Sequence, residues 1–244
     1  MALDITLVAL LTVFASGVGT LTGFGTSTIM VPVMVSFIPL SETLLFVGII
    51  HWFGNIWKLT LFRRGIHREL ILKFGIPGVA MTVVGGLLVF QTSETTLSRV
   101  LGGALVGYVA FMLAKGRLQV PQTTGTAMAG GALYGFSAGI FGIGGAVRGA
   151  FLAAFDLPKA VYIATGGAIG LAIDSGRLAT YWWEGATLDS RLLLGLAACI
   201  PLSFVGAKIA ERIVDRIPQE RFQVVVAAFL AVMGARLLFF PVAT

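Results

Sequence analysis

The chain has 244 residues, of which 57% are hydrophobic and only 11% charged, with a mean hydropathy of +0.95. A soluble domain carries roughly a quarter charged residues, so this composition excludes a water-soluble globular protein and points to a polytopic helical membrane protein. The net charge of +6 is then no nucleic-acid footprint, because basic residues in a membrane chain mark cytoplasmic loops; no nucleic-acid partner is expected.

Apolar segments fall at 4–37, 43–62, 71–91, 98–114, 125–155, 160–180, 190–209 and 220–240. A bilayer core takes about 20 helical residues, so six of these segments fit one crossing each. The other two, 4–37 and 125–155, are too long for that, and each holds glycines in apolar surroundings. The start, Met1-Ala2-Leu3-Asp4, lacks the basic region of a signal peptide and is expected to lead into a retained membrane segment. Pro77 and Pro201 lie in corresponding segments and are expected to kink their helices. Trp52, Trp57, Trp182 and Trp183 suit an interfacial aromatic belt. The single cysteine, Cys199, rules out an intrachain disulfide.

The two long segments are related. Gly23-Phe24-Gly25-Thr26 recurs 119 positions later as Gly142-Ile143-Gly144-Gly145. The same offset takes Pro39 to Pro158, Asn55 to Asp174 and Lys58 to Arg177. The match extends to the rare polar residues, so the chain reads as a tandem duplication, 1–120 and 121–244, within one transmembrane domain. Paired interrupted segments in two halves are the sequence pointer to a transporter binding site.

Charge decides the topology. If each long segment crosses once, the halves share an orientation; if each is a re-entrant hairpin, three crossings per half invert the second. Setting aside Lys58, Arg148 and Arg177 as intramembrane, the single-crossing arrangement divides the basic residues eight to six. The hairpin arrangement places Arg63, Arg64, Arg68, Lys73, Lys115, Arg117, Lys159, Lys208, Arg212, Arg216 and Arg221 on one side, against Arg99, Arg191 and Arg236. The positive-inside rule prefers the asymmetric split. The predicted fold is therefore an all-α integral membrane protein of two inverted repeats, each a glycine-broken re-entrant hairpin plus three transmembrane helices. Both termini are expected to be extracytoplasmic.

The breaks suit anion chemistry. A half-helix starting after Gly25 aims its N–H groups and positive dipole end at the break, and Thr26, Ser27 and Thr28 add hydroxyls. Close helix packing on small residues is the competing account of these glycines. Gly144 and Gly145 form the corresponding turn in the second copy, followed by Arg148 in a stretch otherwise uncharged from Tyr134 to Phe155. An unpaired arginine at membrane depth costs at least about 2.5–3.5 kcal/mol, so Arg148 is expected to face an anion, with pairing to Asp174 or snorkelling as alternatives. His51, Asn55 and Lys58 share one helical face at i, i+4 and i+7. Asp174 and Arg177 are their counterparts, readable also as a local ion pair. Lys58 and Arg177 sit near span ends, where snorkelling competes with a pathway role. His51 can titrate near neutral pH and, with Asp174, is a candidate proton relay. No His, Cys, Asp or Glu cluster has zinc spacing and no phosphate loop is present; no metal, cofactor or catalytic set is expected.

The two glycine-rich motifs, Gly23 to Pro32 and Gly142 to Arg148, together with the Asn55 and Asp174 positions, resemble the sulfite exporter TauE/SafE family over nearly the full length. The resemblance implies export of sulfite, sulfoacetate or a related organosulfonate by a secondary transporter. The second copy departs from the pattern: Phe151 stands where the first half has Pro32, and Arg148 where an apolar residue is usual. The expected mechanism is alternating access, with the anion held by Gly25, Thr26, Ser27, Thr28, Gly144, Gly145 and Arg148, and with Asn55, Lys58, Asp174, Arg177 and His51 lining the route. The expected partners are a small sulfur oxyanion or sulfonate, the bilayer of a cell inner membrane, and a second copy in a homodimer. Two rivals stand beside this: a cation transporter or channel using Asp174, and a non-transporting membrane scaffold subunit.

Overall fold

The computed structural model describes residues 5–62, 65–113, 121–213 and 219–241. Arg63, Arg64, Lys115, Arg117 and Arg216 of the charge count lie outside them, as does the side chain of Arg221. The described residues are helical throughout, without strands, as the apolar segments require when every backbone group must be satisfied inside its own segment. In chain order the helices are α1 (Ile5–Thr22), α2 (Ser27–Met34), α3 (Leu40–Leu61), α4 (Arg68–Gln91), α5 (Glu94–Leu113), α6 (Thr124–Phe141), α7 (Gly145–Ala153), α8 (Lys159–Trp183), α9 (Ser190–Ile213) and α10 (Gln219–Phe239). The order of an 18-residue helix, a short helix and three long ones occurs twice. Each overlong segment is broken at its glycines, as expected.

Among the described residues, four helices are long and apolar enough to cross a membrane: α1, α3, α4 and α9. Helix α1 belongs to segment 4–37, expected to form a hairpin, so of the six crossings read from the sequence three are met in this way, by α3, α4 and α9. In α8 the cause is visible: Lys159, Asp174 and Arg177 lie on its 25 residues.

Each break reverses the chain. Gly23 (φ 76°) and Gly25 (φ 86°) take left-handed backbone between α1 and α2, and Gly142 (φ 67°) does so after α6, a region where glycine carries no Cβ penalty. Behind the first break, Ser16 Oγ lies 3.4 Å from Thr26 Oγ1, and the Thr12 hydroxyl contacts Met30 Sδ at 3.8 Å. The register shows α2 running back along α1. Behind the second, Tyr134 meets Arg148 and Gly130 meets Phe151, so α7 likewise runs antiparallel to α6.

Glycine sets the spacing between helices. Gly131, Gly135 and Gly139 of α6 lie directly on the backbone of Phe74, Gly78 and Thr82 of α4, a parallel register. Gly206 of α9 does the same against Val13 and Gly17 of α1, and Gly102 of α5 against Gly234 of α10. Close approach at small residues is how helices associate where lipid removes the hydrophobic drive.

At the centre α3 crosses α8. Gly48 packs on Arg177, Asn55 on Gly170 and Lys58 on Gly167, so numbers rising along α3 fall along α8 and the two helices are antiparallel. At one end the α3–α4 turn reaches the start of α8, where His67 N donates to Thr165 Oγ1 at 2.9 Å. At the other, Leu40 N donates to Glu94 Oε1 at 3.2 Å and joins the starts of α3 and α5.

Candidate functional site

The α3–α8 crossing buries the charged residues of the middle of the chain. Asp174 is 1% exposed and is the only buried acidic side chain among the described residues. Three groups converge on its carboxylate. Asn55 Nδ2 donates to Oδ2 at 2.8 Å, Arg177 Nη2 donates to Oδ1 at 2.8 Å, and His51 Nδ1 approaches Oδ2 at 2.7 Å. Lys58 Nζ donates to Asn55 Oδ1 at 3.1 Å, extending the chain of contacts one turn along α3. A buried charge is tolerated when paired and hydrogen-bonded, and Arg177 meets that condition: besides Asp174, its Nη1 donates to Ala138 O at 3.3 Å and its guanidinium lies 6.0 Å from the Tyr181 ring centre. The local Asp174–Arg177 ion pair is realised. Snorkelling is not, since Lys58 and Arg177 are 2% and 0% exposed.

Arg148 is different. It is buried in the first turn of α7, yet its hydrogen bonds go to neutral groups. Nη2 donates to Gly23 O at 2.6 Å, and Nη1 to Gly166 O at 2.9 Å and to Tyr134 Oη at 3.2 Å. Its guanidinium stands 5.2 Å from the Tyr134 ring centre. It makes no ion pair with Asp174. Room for it comes from α8, where Gly166 and Gly170 present no side chain and bring Arg148 beside Asn55. At the 119-residue offset Gly170 corresponds to His51, and Arg148 to Ile29. The two halves therefore bring unlike groups to the centre.

The two breaks touch. Gly145 sits against the carbonyl of Phe24, where a Cβ would overlap the oxygen. Neither following helix has a side-chain cap: Thr26 before α2 is itself in helical conformation (φ −58°, ψ −37°), and Gly144 precedes α7. Two expected hydroxyl donors are engaged inside the protein. Thr28 Oγ1 donates to Phe24 O at 2.9 Å and Thr26 Oγ1 shares a contact with Ser16; Ser27 is buried beside them. Over the first break lies His51 of α3, whose Nε2 has no hydrogen-bond partner and stands where a Cβ on Gly25 would fall.

The structure thus brings Gly25, Thr26, Ser27, Gly144, Gly145, Arg148, His51, Asn55, Lys58, Asp174 and Arg177 into one connected region. Arg148, expected to serve the second break, reaches across to the carbonyl of the first. Sequence reasoning missed Tyr134, Tyr181 and the glycine face of α8. The signal for the last, Gly166-Gly167-Ala168-Ile169-Gly170, is readable; the two tyrosines carry none beyond their type. Among the described residues, three buried basic side chains, Lys58, Arg148 and Arg177, stand against one buried carboxylate, an imbalance that suits a negatively charged ligand.

A protein-family model described as Sulfite exporter TauE/SafE matches residues 8–237. No match was found among curated proteins.

Proposed function

The chain belongs to the sulfite exporter TauE/SafE family, a family of membrane transporters rather than enzymes, and we propose that it moves a small sulfur-containing anion (sulfite, sulfoacetate or a related organosulfonate) by alternating access. The observation that carries this reading is the excess of buried cations at the contact of two helix breaks. Arg148 and Lys58 have neutral partners among the described residues, and a planar guanidinium matches the oxygens of a sulfonate or sulfite bidentately. The uncapped starts of α2 and α7 add backbone donors and positive dipole ends. Arg177 serves to hold Asp174, and Asn55 links that pair to Lys58.

The halves 1–120 and 121–244 act as inverted repeats in this reading. It draws support from the antiparallel crossing of α3 and α8, helices related by the 119-residue offset, and from the reversal within each broken segment. It also draws on charge: Arg68 and Lys73 at the start of α4 share an end with Lys159 at the start of α8, while Arg99 lies near the start of α5 at the other. The basic end is cytoplasmic by the positive-inside rule, which puts both termini outside. Breathing of one broken hairpin against the other opens the site to each side in turn.

The cation-transport reading has less support, because Asn55 and Arg177 already donate to the two oxygens of the Asp174 carboxylate and His51 Nδ1 stands 2.7 Å from one of them. Purified protein in sulfite-loaded liposomes tests the proposal. Sulfite efflux above that of empty liposomes is expected, without matching flux of sodium or potassium; cation flux without sulfite efflux overturns it, and no flux at all favours a scaffold.

A further inference from the structure

Resting on the anion reading above, the geometry points to a second role at the same site: we propose that His51 meets the transported anion at the first helix break and takes up a proton as it does so, making transport proton-linked.

His51 is 2% exposed, in the middle of a helix, and its two ring nitrogens face different surroundings. Nδ1 lies 2.7 Å from Asp174 Oδ2. A lone pair facing a carboxylate oxygen at that distance is repelled, so the proton sits at Nδ1 and the neutral ring presents its lone pair at Nε2. Both ring nitrogens are buried without a hydrogen-bond partner, and Nε2 also lacks the carboxylate that stands beside Nδ1. A buried polar atom left unsatisfied costs about 1–3 kcal/mol. Nε2 sits against Gly25 at the start of α2, an eight-residue helix with no side-chain cap, and the ring can approach the break this closely because residue 25 has no Cβ. Gly25 also needs its positive φ of 86°, so both backbone and packing keep a side chain out.

An anion seated on the first turn of α2 gives Nε2 what it lacks, an acceptor. No acceptor can use a lone pair, so the ring must gain a proton from solvent at Nε2, which then donates to the anion; Nδ1–H stays beside Asp174, and no covalent bond other than the new N–H changes. The buried charged groups that act on the ring are Asp174 and Arg177 from α8 and Lys58 on its own helix. An arriving anion adds a second negative neighbour to Asp174 beside the ring. Anion and proton therefore stabilise one another in the site, and linkage requires the effect to be reciprocal. The second half has no equivalent, since Gly170 occupies the corresponding position.

Calorimetry separates this from a structural role. Methanesulfonate and sulfate stay fully ionised near neutral pH, so any proton taken up on binding belongs to the protein. Titrations at pH 7 in two buffers of different ionisation enthalpy, with sulfite as a third probe, give the number of protons bound per anion. The unmodified protein is expected to take up a proton fraction well above zero, and His51→Gln to bind the same anion more weakly with that uptake abolished. His51→Asn serves as the second variant, each checked for an unchanged melting temperature. Binding by the unmodified protein without proton uptake overturns the inference and leaves the anion reading standing, as does uptake that persists in the variants. Absence of binding by all three anions removes the anion reading itself, and this inference with it.

Discussion

Asn55 Nδ2 donates to Asp174 Oδ2 at 2.8 Å, and the two residues stand 119 positions apart, the offset that relates Gly23 to Gly142 and Lys58 to Arg177. Equivalent positions of two related halves touch only where a symmetry axis passes. In the inverted-repeat reading this hydrogen bond marks that axis, and the buried charges gather around it. The amide donates and the carboxylate accepts, and the divergence of the halves at this position is what gives Arg177 its charged partner.

Removing the carboxylate should be severe. Asp174→Asn leaves Arg177 fully buried beside a neutral amide, and breaking a buried pair from one side costs about 3–5 kcal/mol. A large drop in the thermal unfolding midpoint is expected. The double variant Asp174→Leu with Arg177→Met, which removes both charges, should recover part of the loss. Equal midpoints for Asp174→Asn and the unmodified protein would show that the pair does not hold the crossing together.

Glycine positions should divide sharply. A Cβ on Gly135 overlaps the carbonyl of Gly78, whereas nothing lies within 4 Å of one on Gly103. Gly135→Val should abolish a monodisperse peak in size-exclusion chromatography. Gly103→Ala should leave it intact, and stabilise slightly through the higher helix propensity of alanine.

Much of this architecture is legible in the chain. Segment 43–62 becomes α3 over Leu40–Leu61 and segment 190–209 becomes α9 over Ser190–Ile213, because long apolar runs in lipid have few alternatives to helix. The breaks are legible because glycine pairs at Gly23/Gly25 and Gly142/Gly144 are local signals for reversal. Partner choice is another matter. Arg148 reaches Gly23 O across 125 positions and Arg177 reaches Ala138 O across 39, contacts set by how α6, α7 and α8 pack rather than by any neighbouring residue. Lys58 shows the same limit. Its place near a helix end leaves snorkelling and a pathway role both open, and α8, presenting Gly167 there, covers it.

Topology follows from the same packing. In a Cys199→Ala background, single cysteines at Ile66 and Arg212, both on exposed positions at the basic end, should react with an impermeant thiol reagent from one side of the membrane. A cysteine at Asp189, in the exposed α8–α9 turn, should react from the other. Labelling of the first two from opposite sides would contradict inverted repeats.

The central claim is that Arg148 binds the transported anion. Sulfite binding to purified Arg148→Gln, compared with the unmodified protein at matched thermal stability, tests it most directly. Hydrogen bonds to charged groups contribute about 1.5–3 kcal/mol, so the dissociation constant should rise roughly ten- to a hundredfold, with Arg148→Lys falling between the two. An unchanged dissociation constant in Arg148→Gln would remove this arginine from the site and contradict the account.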